Sequence, residues 1–324
     1  MNIKDYGISL KNKVDEILSM QDVSSQTRLN ETYKDNGVKY HTLMVGPENG
    51  RIYTNTYYDE YYEMYCAGTK ELDEAAEEIC KIYIGNIDKI MGLNDTARLE
   101  ELSDWEYIKD KVSIMLLNSE LNRKYLSEMP HKTPEGMEDL SVIYYVRLSE
   151  DMSFKVTNSL LEKLGISADE LDKAAYENSE GIMQPSVTLI SDVVKEMIGE
   201  EKFESIMVGE EGYEPEMYVV TNRENINGAS AIMLDGIKKR LNDLANGREL
   251  FIIPSSKHEV LVMPDNGYMP VEEIKDMVYQ VNCEEISTND FLSNNVYKYN
   301  PKTMKIRKVT SEPIIEERRQ KISR

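Results

Sequence analysis

Residues Lys70 to Met91 carry apolar side chains at the spacing of a helix, and this stretch constrains the fold more than any other. Leu72, Ala75, Ala76, Ile79, Ile82, Tyr83, Ile87 and Ile90 follow the 3.6-residue period, while Asp73, Glu74, Glu77, Glu78 and Lys81 fall mostly elsewhere on the wheel. Thr69 is the expected N-cap and Gly92 the expected stop. A one-sided helix must bury its stripe against a second layer. Segments rich in β-branched and aromatic residues can form that layer. Val38–Val45 returns as Arg51–Thr56 across the turn Gly46-Pro47-Glu48-Asn49-Gly50, and Leu140–Leu148 is followed by a partner at Ser153–Thr157 across Ser149–Met152. Val112–Leu117 fits a strand or a helix equally well.

The last third reads β-β-α-β-β. Strands are expected at Met217–Thr221 and Ser230–Leu234, a helix through Ile237, Leu241 and Leu244, then strands at Glu249–Pro254 and Glu259–Met263. Pro270 opens a further helix with Val271, Ile274, Val278 and Val281 inward, and a hairpin forms about Asn300-Pro301. Ser167 to Glu170 is a capping box for a helix reaching about Glu177, and another helix covers Leu189–Ile198. The expected class is therefore α+β, with mainly antiparallel sheets and flanking helices. Residues 1–30 read as a helical appendage with Ile8, Val14, Ile17 and Leu18 on one side, followed by a polar break from Ser24 to Asn36. Residues 31–310 read as the main body, with an internal boundary near 209–216, and 311–324 as a basic tail.

Charge narrows the partners. The 324 residues carry a net −21, and residues 301–324 are +5, which leaves −26 on the rest. A surface this acidic repels nucleic-acid phosphates and anionic lipid, so nucleic acid is expected only through the tail, which can also fold back on the body. No apolar run approaches the roughly 18 residues of a membrane helix, and Met1–Asp22 lacks the apolar core of a signal peptide. Cys66, Cys80 and Cys283 are far apart and odd in number, which fits free thiols in the cytoplasm.

Several local stretches stand out: Tyr57–Tyr65 followed by the Gly68–Tyr83 helix; Leu117-Asn118, Pro130-His131 and Asp139-Leu140; Thr221-Asn222 with Asn227-Gly228-Ala229; Ile253-Pro254-Ser255-Ser256-Lys257-His258-Glu259; and Leu292-Ser293-Asn294-Asn295-Val296-Tyr297. Over roughly residues 35–300 the chain resembles an uncharacterised family of Firmicutes, frequent in gut clostridia and near mobile elements. The resemblance implies membership and no activity, cofactor or site residue.

The candidate chemistry is sparse. Ser255, Ser256, His258 and Glu259 bring together the residue types of a Ser-His-acid hydrolase. On a strand, however, Ser256 and His258 share a face while Glu259 opposes them, and no G-x-S-x-G elbow exists. A turn with capping hydroxyls is the competing explanation. Tyr57, Tyr61 and Tyr65 would share a helix face, either packed or presented to a partner. Asn222, Arg223 and Asn227 form a polar loop of the kind that carries binding groups. His41, His131 and His258 are mutually distant, and no zinc, calcium or nucleotide motif is present, so neither metal nor cofactor is expected. The leading expectation is a non-catalytic protein that binds another protein. A hydrolase using the Ser255–Glu259 loop is the rival, and nucleic-acid contact by the tail a third reading.

Overall fold

The computed structural model describes residues 1–95, 100–149, 152–207, 216–267 and 269–309. The chain divides into two compact units, Met1–Ile108 and Lys109 onward.

The first unit packs helices on a three-stranded antiparallel sheet, β1 (Gln26–Tyr33), β2 (Lys39–Gly46) and β3 (Thr54–Tyr57), in that order. Helix α1 (Ile3–Met20) begins where the Asn2 side chain accepts from the Asp5 N–H at 2.9 Å. Helix α2 is Asp59–Cys66, α3 is Leu72–Gly85 and α4 is Ile87–Leu93. Tyr6, Leu10, Val14 and Leu18 of α1 meet Ala75, Ala76, Ile79, Cys80 and Tyr83 of α3 and Leu43 and Val45 of β2. The buried stripe of α1 thus includes Tyr6 and Leu10, while Ile8 stays half exposed. Gly7 sits mid-helix because a Cβ there would fall 2.4 Å from the Tyr58 hydroxyl. The close approach outweighs the roughly 1 kcal/mol that glycine costs a helix.

Three local expectations need correction in this unit. The polar stretch after Ser24 holds a strand, β1, paired along its whole length from Gln26↔Gly46 to Tyr33↔Lys39. An edge strand needs a backbone ladder and only one apolar face, so polar composition disguised it. The long helix breaks at Asn86, whose side-chain amide turns back to the Ile82 carbonyl at 2.8 Å. Its N-cap is Glu71, in a capping box with Glu74, and Thr69 instead donates to the Met64 carbonyl behind α2.

The second unit contains two antiparallel sheets. One has the order β4 (Val112–Asn118), β6 (Leu140–Ser149), β5 (His131–Lys132), with β7 (Met152–Lys155) also on β6. This settles Val112–Leu117 as strand. The other runs β13 (Lys305–Lys308), β12 (Tyr297–Asn300), β10 (Leu250–Pro254), β11 (Val260–Pro264), β9 (Tyr218–Asn222), β8 (Pro185–Leu189). Three long helices flank them: α5 (Ala168–Met183), α6 (Asp235–Ala245) and α7 (Val271–Glu284). The class is α+β and mainly antiparallel. Helix α5 starts at the Ser167 cap and docks on β4 through Ser179, whose Oγ lies 2.9 Å from Ser113 Oγ. Of Ser230–Leu234, expected as a strand, the first four residues lie instead in a 3-10 segment, Gly228–Met233, and Leu234 follows as its extended cap. Both edges of β9 are already filled, by β8 and β11, so a returning strand has no partner there. Residues 150–151 of the expected turn Ser149–Met152, residues 209–215 of the expected boundary near 209–216, and the tail 311–324 lie outside the described residues. Within 301–309, Lys305 pairs with Glu135 at 2.6 Å and Arg307 with Glu249 at 3.0 Å, folding this stretch onto the body.

A partly buried carboxylate ties the two sheets together. Asp139, just before β6, accepts from Ser293 Oγ at 2.6 Å and from the Tyr297 hydroxyl at 2.7 Å, while Asn118 at the end of β4 donates to the Leu292 carbonyl. Burial opposes the charge on Asp139. Hydrogen bonds from Ser293, Asn295 and Tyr297 outweigh it and hold its carboxyl below the ordinary range. A depressed carboxyl contributes stability that is complete above its unfolded pKa, about 4, and is lost as pH falls through the lower folded value. Asp139→Ala should lower unfolding free energy by about 2–3 kcal/mol at neutral pH, since two buried donors lose their acceptor. Urea denaturation checks this, and the deficit should shrink below pH 4.

Candidate functional site

The second unit joins two of the polar loops singled out in the sequence. Strand β9 ends at Asn222, whose side chain closes an Asx turn: Oδ1 accepts from the Ile226 N–H at 3.2 Å and Nδ2 donates to its carbonyl at 2.8 Å. Asn225 and Asn227 then take positive φ of 54° and 55°, which asparagine tolerates. Gly228 turns the chain against the 255–259 loop. A Cβ on it would lie 2.6 Å from both the Asn222 nitrogen and the His258 carbonyl oxygen. Across this contact Thr221 Oγ1 donates to the His258 carbonyl at 2.8 Å and the Ala229 N–H to that of Lys257 at 3.2 Å.

The hydrogen bonds of His258 settle its tautomer. Its Nδ1 faces the Asn227 backbone N–H at 3.2 Å, and because that group can only donate, Nδ1 accepts. The proton therefore sits on Nε2, which points to Asp290 Oδ1 at 3.1 Å. Asp290 also receives Lys257 Nζ at 3.3 Å and Ser287 Oγ at 2.8 Å. Its carboxyl is pushed up by burial but pulled further down by Ser287, His258 and Lys257, so it stays ionised. Ser256, nearly buried, accepts from the His258 backbone N–H at 3.0 Å and donates its own N–H to the Glu259 carbonyl. Ser256, His258 and Glu259 are thus brought together by backbone bonds. Among the described residues, neither Ser255 nor Ser256 presents a hydroxyl to the imidazole.

The other side of the 222–227 loop opens on a cleft of about 480 Å3. Arg223 and Glu224 reach it from the loop, Gln184 and the Ile182-Met183 floor from the end of α5, Arg147 from β6, and Asp110 and Lys111 from the approach to β4. Arg147 pairs with Glu224, and Lys111 lies 3.2 Å from Asp110. Arg223 donates to the Gln184 side-chain oxygen at 3.2 Å, and no carboxylate pairs with it among the described residues. Gln184 closes α5 in the left-handed region, φ 48°, a strained position for a residue with a Cβ. Strand β8 starts beside it, so the ends of β8 and β9 set the spacing of the Gln184–Arg223 pair.

The tyrosines belong to the first unit. Tyr57 ends strand β3, ahead of α2, so it does not share a helix face with Tyr61 and Tyr65. Its ring lies 5.1 Å from Tyr40, with Lys34 Nζ 4.3 Å from its centroid. Tyr61 and Tyr65 pack on the core. Tyr61 donates to Glu78 at 3.0 Å, and burial with that carboxylate pushes its hydroxyl up to about 12.

Sequence reasoning missed Asp290, Gln184, Arg147 and Glu224. The Ser287–Asp290 turn was the available signal for the first. The others lie at the ends of elements far apart in the chain, where no local pattern marks them. Among the described residues no three of His, Cys, Asp and Glu converge as metal ligands, and no helix is long and apolar enough to cross a membrane. Cys66 and Cys283 are exposed and Cys80 is buried.

A family profile described as "Family of unknown function (DUF5688)" matches residues 3–301. The chain belongs to this family. No curated protein and no solved structure matches the chain. The DUF5688 match spans both units, so the cleft and the loops around Gly228 lie within family sequence.

Gly228→Ala should cost about 1–3 kcal/mol by overpacking, because the new Cβ meets backbone on both sides. Thermal denaturation checks the loss. The imidazole resonances of His258 should shift as the Asn227 contact opens.

Proposed function

We propose that this DUF5688 chain is a cytoplasmic, non-catalytic binding protein whose second unit captures an anionic group, carboxylate or phosphate, carried by a protein partner. One observation carries this reading: the Arg223 guanidinium lines an open cleft with an amide, and with no carboxylate, as its partner among the described residues. On a chain of net −21, anions are repelled over most of the surface. A cleft with Lys111, Arg147 and Arg223 against Asp110 and Glu224 is a local exception. Arginine suits the task because its planar fork meets carboxylate or phosphate with two parallel hydrogen bonds.

The occupied ring nitrogens of His258 support binding over hydrolysis, since a general base needs a nitrogen lone pair within reach of the reacting hydroxyl. A fluorophosphonate probe should therefore leave Ser255 and Ser256 of the folded protein unlabelled, as read by peptide mass spectrometry. The Firmicute, mobile-element setting of the resemblance is retained as the context in which to seek the partner.

The test uses inorganic phosphate and acetate as probes. In NMR titrations the Arg223 Nε–Hε signal should shift saturably with at least one of them, and Arg223→Gln should abolish that binding. Arg223 is exposed, so the variant should stay within about 0.5 kcal/mol of the parent in stability. A response to neither anion, or one unchanged in Arg223→Gln, would refute the reading.

A further inference from the structure

The first unit holds a histidine whose hydrogen bonds are the reverse of those at His258. His41 lies on β2, and Asp59 opens α2. The Asp59 carboxylate bridges two groups of His41: Oδ2 accepts its backbone N–H at 2.8 Å, and Oδ1 lies 2.8 Å from Nδ1. A carboxylate at neutral pH only accepts, so the proton is on Nδ1 and Nε2 carries the lone pair. Nε2 has no protein partner among the described residues. The ring lines a cavity of about 410 Å3, together with Lys4, Ile8, Leu29, Glu31 and Tyr58.

The walls of this cavity give the arrangement a chemical direction. Glu31, directly across the ladder from His41, is taken up by Lys39 at 2.7 Å. Lys4 is in no ion pair within 4 Å among the described residues; it acts on Glu31 only at longer range and lines the hollow together with the histidine. Ile8 and Leu29 give an apolar side. The Tyr58 ring, 5.7 Å from that of His41, is fixed by its fit against Gly7.

We propose that the His41–Asp59 dyad is a second binding site, which takes a small hydroxylated anion that donates its O–H to His41 Nε2 and sets its anionic group against Lys4. Nε2 accepts the hydrogen bond of the ligand hydroxyl, and no proton is transferred. The Asp59 carboxylate holds the Nδ1 proton and so keeps the Nε2 lone pair for the ligand. His131 is an internal control. It is exposed, and its Nδ1 lies 2.9 Å from the Met129 carbonyl, so it has the same tautomer without a carboxylate behind it.

The test is carbethoxylation by diethyl pyrocarbonate, read residue by residue by mass spectrometry. Nε2 attacks a carbonyl carbon of the reagent, forming an N–C bond and expelling ethyl carbonate, which takes up the proton the acylated ring loses from Nδ1 and breaks down to ethanol and carbon dioxide. His41 should react faster than His131 despite being less exposed, and His258 slowest of the three. Asp59→Asn, which loses the carboxylate that holds the proton on Nδ1, should slow His41 about tenfold, by analogy with the loss of a carboxylate partner behind a metal-ligating histidine. Should that variant fold poorly, nitrogen-15 spectra of the unmodified protein report the tautomers directly: Nδ1–H at His41 and Nε2–H at His258. His41 reacting no faster than His131, or carrying its proton on Nε2, overturns the dyad. L-malate and sn-glycerol 3-phosphate serve as carboxylate and phosphate probes of the ligand class. At least one should protect His41 saturably, and Lys4→Gln should remove the protection. Protection by neither overturns the assigned ligand.

Discussion

The arrangement of the second unit depends on how closely the chain can approach itself at Gly228. Backbone from β9, from the 3-10 segment and from the 255–259 loop meets there at distances that leave no room for a Cβ. This contact lets Asn227 donate to the His258 ring, lets Thr221 and Ala229 hold the neighbouring carbonyls, and turns Arg223 and Glu224 outward into the cleft. One steric condition therefore rigidifies the 255–259 loop and presents a cation on the opposite side of the same turn. The hydrogen bonds that hold the His258 ring use both of its nitrogens.

The two histidines show how much depends on what Nδ1 meets. At His258 it meets a backbone donor, so the proton moves to Nε2 and is committed to Asp290. At His41 it meets an acceptor, so the proton stays on Nδ1 and the lone pair is left on Nε2. Each imidazole has a carboxylate beside it, and in sequence nothing distinguishes them. The difference arises from partners donated by other segments: Asn227 in one case, the first residue of α2 in the other.

Electrostatics follows the same logic. A net charge of −21 sets the field over most of the surface, but at short range the pairing of individual groups decides. Arg147 and Lys111 are matched by carboxylates within the cleft, while Arg223 faces an amide. The Asp139 cluster is the inverse case: a carboxylate held below the ordinary range with no cation paired to it among the described residues, by hydroxyl and amide donors from the 293–297 segment.

Periodicity and turn chemistry were enough to read the fold class, the antiparallel hairpins at 39–57 and 140–155, the Ser167 cap and the Pro270 helix start, because each is decided by residues a few positions apart. The misreadings occurred where a neighbour distant in sequence decides. Strand β1 owes its conformation to β2, Ser230–Leu234 is denied a strand by the filled edges of β9, and Tyr57 ends in a strand because β2 pairs with it. The candidate residues followed the same division. Asn222, Arg223, Asn227, Ser256 and His258 could be singled out by type and by their turns, and the structure does bring them to one place. Their partners Gln184, Arg147, Glu224 and Asp290, and the pairing of His41 with Asp59, could not be read in advance. Local sequence determined which backbone shapes and reactive groups this protein possesses. Which nitrogen holds a proton and which cation lacks a counterion were decided only by tertiary structure, because hydrogen bonds and ion pairs form between atoms close in space whatever their separation along the chain.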